Sequence, residues 1–99
     1  MPKLLVQVDP DLSDLMPGFL ANKRADADKI LAAAAAADYA ALRGIGHKIK
    51  GEGGSFGFDR ISEIGAEVEQ AAIDQDLAEI RRCGENLAAY LEAVEIVFE

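Results

Sequence analysis

The sequence predicts an all-α fold: an antiparallel four-helix bundle preceded by a short N-terminal arm with an extra helical turn. Three observations predict it. Apolar residues recur at spacings of three and four along most of the chain. Helix start and stop signals at Asp9-Pro10, Asp38, Gly53-Gly54 and Asp76 cut it into helix-length segments. Its 99 residues, 51% apolar and 28% charged, suffice for one core and not for two. Only 6% are aromatic and none is Trp, so the core must be built from Leu, Ile, Val and Ala. Residues 1–99 therefore form one domain, with 1–9 as the arm and 10–99 as the bundle.

Lys3 to Val8 reads as an extended arm that packs its Leu and Val side chains on the domain. Asp9-Pro10 is an N-cap with proline at the first helical position. Leu12, Leu15, Met16 and Phe19 follow at helical spacing, and Pro17 should kink or restart the helix. The stripe runs on through Leu20, Ala27, Ile30, Leu31 and Ala34 into six consecutive alanines, Ala32 to Ala37. Alanine is the best helix former, so this segment stays helical to about Ala37.

Asp38 caps a second helix with Leu42, Ile45 and Ile49 on its apolar stripe, ending near Gly53-Gly54. Phe56 is expected against Ile61 as a staple at the start of the third helix. Ile61, Ile64, Gly65, Val68 and Ala72 lie on one face of that helix. Asp76 and Glu79 form an acidic variant of the capping box for the fourth. Its stripe of Leu77, Ile80, Gly84, Leu87, Leu91, Val94 and Phe98 alternates spacings of three and four without a slip. Short connections between four such helices favour antiparallel neighbours.

Composition excludes several functions. Ten Lys and Arg against eighteen Asp and Glu give a net charge of −8, which disfavours nucleic acid and anionic membrane as partners. The single cysteine, Cys83, allows neither an internal disulfide nor a cysteine-based zinc site, and reads as a small filler or a half-exposed thiol. There is no signal segment and no span-length apolar run, so a cytoplasmic location is expected. A metal site would need the only histidine, His47, yet positions 43, 44, 50 and 51 are Arg, Gly, Lys and Gly, so none is expected. Ser13, Ser55 and Ser62 are unconvincing partners for a nucleophilic triad. The run GEGGSFG at 51–57 lacks the phosphate-loop pattern.

What remains is the segment around His47. From Tyr39 to Gly51 there is no acidic residue, and Arg43, Lys48 and Lys50 give it +3, leaving −11 on the other residues. At 3.6 residues per turn, His47 shares its face with Arg43, Gly44, Lys50, Gly51 and Gly54, opposite Leu42, Ile45 and Ile49. The imidazole should therefore project into solvent from mid-helix, ringed by positions without side chains. Glycine within a helix costs about 1 kcal/mol against alanine, so close approach of another molecule is a reason to keep several on one face. A plain surface histidine on a glycine-rich helix is the alternative.

The run Gly46-His47-Lys48-Ile49-Lys50-Gly51, with Gly57 ten residues after the histidine, resembles the signature of histidine-containing phosphotransfer (HPt) domains. That signature has Lys-Gly at +3 and +4, glycine at +10 and an apolar helix closing on a Leu-Glu-like pair. Lys50, Gly51 and Gly57 match, and Val68-Glu69 fits the last element. Gly46 departs mildly, standing where the family often has alanine.

The resemblance implies a phosphocarrier of a two-component phosphorelay. His47 would accept a phosphoryl group from a receiver-domain phospho-aspartate or a histidine kinase and pass it to a response regulator. Histidine's ordinary pKa of about 6.5 leaves a neutral, nucleophilic imidazole at physiological pH. Nε2, the outer nitrogen, is the expected attacking atom. Lys50 would stabilise phosphoryl charge and Gly51 would give steric clearance. Arg43, Gly44, Lys48 and Gly54 are the expected docking residues, although Lys48, about 100° round the helix, is as readily read as solvated.

No cofactor of its own is expected, with Mg2+ belonging to the partner's receiver domain, and no enzymatic activity in its own right. Partners would be a response-regulator receiver domain, a hybrid histidine kinase, or both. A chain of 99 residues beginning at Met1 is expected to be a free-standing, monomeric shuttle. The competing reading is a non-catalytic adaptor that docks through Leu12 to Phe19.

Overall fold

The computed structural model describes residues 4–98. Asp9 accepts a hydrogen bond from the Asp11 amide (2.9 Å) and starts a 3-10 helix over Pro10–Leu15. The α-helix proper, α1, restarts at Met16 and runs to Ala35, with Pro17 in its first turn, where a missing N–H costs nothing. Three further α-helices follow: α2 (Tyr39–Ser55), α3 (Asp59–Ile73) and α4 (Leu77–Ala93). The Asp38 side chain caps α2 by accepting from the Ala41 amide, and Asp76 caps α4 by accepting from Glu79. Glu79 does not close the box; its carboxylate takes Arg82 instead (2.6 Å).

The expected stripes converge on one core. Ile30, Leu42, Ile49, Ile61, Ile64, Val68, Ile80 and Leu87 are fully buried, joined by Phe58. Helix α2 packs chiefly on α3, α1 on α4, and α3 on α4, which closes the bundle. Phe56, expected against Ile61, has its ring 4.6 Å from that of Phe19 on α1, and Phe58 stacks on the same ring at 5.2 Å.

Two expectations at the chain ends are corrected. The stripe of α4 does not continue to Phe98: the helix stops at Ala93, and Val94–Phe98 forms a strand, β2. It pairs in parallel with Leu4–Val8, strand β1, in register Leu4 with Val94 through Val8 with Phe98. The run Val-Glu-Ile-Val-Phe is rich in β-branched residues that a pleated surface favours, and a spacing of three or four cannot distinguish it from a last helical turn. The arm is thus a strand, and it is not packed by its leucines. Leu4 and Leu5 are exposed, while Val8 is buried. Met1 to Lys3 of the arm lie outside the described residues.

Three helices end alike. After α1, α2 and α3 one residue turns to positive φ: Ala37 (51°), Gly57 (80°) and Gln75 (55°). In each case the next amide reaches back to the third-last helical carbonyl, from Asp38 to Ala33, Phe58 to Gly53 and Asp76 to Ala71. This is the Schellman closure, which favours glycine at the turning residue. Gly57, the +10 glycine of the sequence signature, therefore has a backbone reason to be glycine. Gly57→Ala should lower stability by about 1–2 kcal/mol, and Ala37→Gly should raise it by up to about 1 kcal/mol, both read from urea melts.

Candidate functional site

His47 lies midway along α2 with its side chain 75% exposed. Its helix turns Leu42 and Ile49 fully into the core and leaves Ile45 half-buried, so the imidazole points away from the bundle as helical geometry requires. Arg43, Gly44, Lys50, Gly51 and Gly54 are exposed on the same helix face. A Cβ added at Gly44 or Gly51 would meet nothing within 4 Å, and one at Gly54 only the Ser62 hydroxyl at 3.9 Å. On this face no described residue fills the space above Gly44 and Gly51.

The other glycines of α2 face inward. A Cβ at Gly46 would stand 2.6 Å from the Glu69 amide nitrogen and 2.7 Å from the Gly65 carbonyl oxygen. One at Gly53 would stand 2.6 Å from the Ser62 nitrogen, and one at Gly65 would run into the Lys50 nitrogen and the Gly46 carbonyl. These contacts are with backbone, which cannot swing aside. Gly46, Gly53 and Gly65 thus let the α2 and α3 backbones touch, and Ser62 fastens them by donating to the Lys50 carbonyl (2.8 Å). An alanine at position 46 would not fit without moving α3.

That contact places a residue beside the histidine which sequence reasoning missed in this role. Glu69 follows the Gly46 contact on α3, and its Oε2 lies 3.2 Å from His47 Nδ1. A carboxylate oxygen accepts, so in the tautomer that makes this hydrogen bond Nδ1 is the donor and the ring's lone pair lies on Nε2. The signal in the sequence is Val68-Glu69, the last element of the signature, which by itself assigns the acid no function.

The three cations of the acid-free segment are not equivalent. Arg43 and Lys50 form no ion pair among the described residues. Lys48 is drawn toward α1, with Nζ 3.6 Å from Asp26 Oδ1 and 3.9 Å from Glu52 Oε1. Asp26 is itself buried, and its other oxygen pairs with the fully buried Lys23 at 2.6 Å. Lys23 also donates to Glu52 (2.7 Å) and to the Asn22 side-chain oxygen (3.0 Å), with its ammonium over the Phe19 ring. The stripe of α1 had a gap between Leu20 and Ala27; the buried pair occupies it.

The Hpt domain family model matches residues 14–96. The chain belongs to the Hpt domain family. A search of curated proteins and one of solved structures returned no match. Hpt domains are histidine phosphocarriers of phosphorelays and interact with receiver domains and kinases. No helix among the described residues of this Hpt domain is long and apolar enough to cross a membrane. Cys83 is a buried filler rather than a half-exposed thiol; burial, aided by the nearby Glu79 carboxylate, pushes it up to about 11.

Gly46→Ala should cost about 1–3 kcal/mol, because α2 and α3 must separate to admit the methyl group. Thermal melts check this, and the imidazole signals of His47 should shift with the lost Glu69 contact.

Proposed function

We propose that this Hpt domain carries phosphoryl groups on Nε2 of His47, accepting from a receiver-domain phospho-aspartate or a histidine kinase and passing on to a response regulator. The observation that carries this is the largely exposed ring, whose inner nitrogen faces Glu69 and whose outer nitrogen has no hydrogen-bond partner among the described residues. In the forward step the Nε2 lone pair attacks phosphorus and an Nε2–P bond forms. The acyl-phosphate P–O bond breaks, and its electron pair leaves on the donor's aspartate. The Nδ1 proton stays, shared with Glu69, which stabilises the positive charge that develops on the ring.

Lys50, one turn along and without an ion pair among the described residues, supplies a cation for the phosphoryl oxygens. Gly51, Gly44 and Gly54 keep the approach clear, and Arg43 extends the positive rim that a partner meets. Magnesium and the in-line machinery belong to the partner's receiver domain, so the chain acts as a carrier and not as an enzyme in its own right.

The test is incubation with radiolabelled phospho-receiver. Label should appear on this chain, be lost in acid and survive base, and be absent from His47→Gln, which should melt like the parent. Uptake by His47→Gln on the same time scale would overturn the assignment. Lys50→Ala should slow transfer by about two- to fivefold, the effect of one solvent-screened charge.

Gly51→Leu separates clearance from packing. Its side chain would stand about 40° round the helix from the imidazole and in open space. The variant should keep the parent's helicity and melting temperature and lose most of its transfer rate, measured on the same phospho-receiver. Normal transfer by a folded Gly51→Leu would remove clearance as the reason for the glycine.

A further inference from the structure

Lys23 and Asp26 are the buried charged residues of the described chain, 0% and 2% exposed. A buried ion pair is weak evidence for stability, since apolar side chains of similar volume serve as well or better. Its placement suggests another use. Lys23 fixes Oδ2 of Asp26, which leaves Oδ1 facing Lys48, the residue directly after His47. Glu52, held by the same ammonium at 2.7 Å, also pairs with Lys48, at 3.9 Å. Two carboxylates anchored by one buried lysine therefore hold the middle cation of the basic segment on the α1 flank of α2. Arg43 and Lys50 have no such anchor.

We infer that Asp26 and Glu52 are positioning residues for the phosphoryl site: they hold Lys48 off the His47 face, so that a phosphoryl group on Nε2 meets the charge of Lys50 and Arg43 only. A phosphorylated imidazole bears about two negative charges. Each free cation beside it lowers the energy of the phosphorylated form and makes release to an acceptor harder. Sequestering Lys48 keeps the carrier able to give up what it takes. The proposal rests on His47 being the phosphoryl acceptor.

The experiment uses the full chain phosphorylated with phosphoramidate. In that reaction the P–N bond breaks, ammonia leaves and the Nε2–P bond forms. The phosphoryl titration midpoint is then read from the 31P shift against pH, for the parent, Asp26→Asn, Lys48→Ala and the double variant. A cation free to approach favours the dianion and lowers the midpoint. Asp26→Asn should lower it by about 0.2–0.7 pH units, the scale of one exposed charge pair. Lys48→Ala should leave the parent's midpoint in place and cancel the Asp26→Asn shift in the double variant.

Additive shifts, with Lys48→Ala acting equally in both backgrounds, would overturn the proposal while leaving His47 as the acceptor. Should circular dichroism show Asp26→Asn unfolded, Glu52→Gln, at a half-buried position, replaces it in the same cycle with the same expected signs. A parent chain that takes up no phosphate on His47 would overturn the acceptor reading and this inference together.

Discussion

The candidate site depends on one packing constraint, the backbone-to-backbone contact of α2 with α3. Side chains normally hold helix axes 8–10 Å apart. Here Gly46, Gly53 and Gly65 remove them, and any methyl group at these positions would meet main-chain atoms. The gain is positional. With the Glu69 backbone against Gly46, the Glu69 carboxylate arrives at Nδ1 of His47, one residue on. The same helix that brings its inner glycines against α3 turns its outer ones, Gly44, Gly51 and Gly54, toward open space. Glycine thus does opposite work on opposite sides of α2: contact within the chain on one, room for another molecule on the other.

Electrostatics follow the same division. A chain of net charge −8 concentrates its acid-free stretch on the helix that bears the only histidine. Local fields of this kind steer a complementary surface toward one face and disfavour association through the rest. Within that stretch the structure separates the cations further, since the α1 flank is neutralised by Asp26 and Glu52 and the crest is not. Charge counted along the sequence overstates what the histidine face presents.

The four helices were legible because each carries its own punctuation and one clean stripe. Asp38 and Asp76 cap as their positions predict, and Ile61 to Ala72 and Ile80 to Leu91 face the core. The exposure of His47 was legible too, from its phase relative to Leu42 and Ile49. What escaped was everything set by pairing between distant segments. Val94 to Phe98 extends the α4 stripe by spacing, and only β1, some ninety residues earlier, makes it a strand. Gly46 resembles its outward neighbours in sequence, and its role appears only with α3 in place. Glu69 lies 22 residues from the imidazole it touches. Lys23 and Asp26 left a visible gap in an apolar stripe, which reads as solvent exposure until α2 supplies Glu52 and Lys48.

On the proposed function, the α2–α3 contact fixes the imidazole so that its outer nitrogen reacts. The most direct measurement is 15N NMR of the ring-labelled chain, before and after phosphorylation, with 15N–31P coupling to locate the phosphorus. The expected result is a neutral ring protonated on Nδ1 and, afterwards, phosphorus bonded to Nε2. A ring protonated on Nε2, or phosphorus bonded to Nδ1, would contradict it.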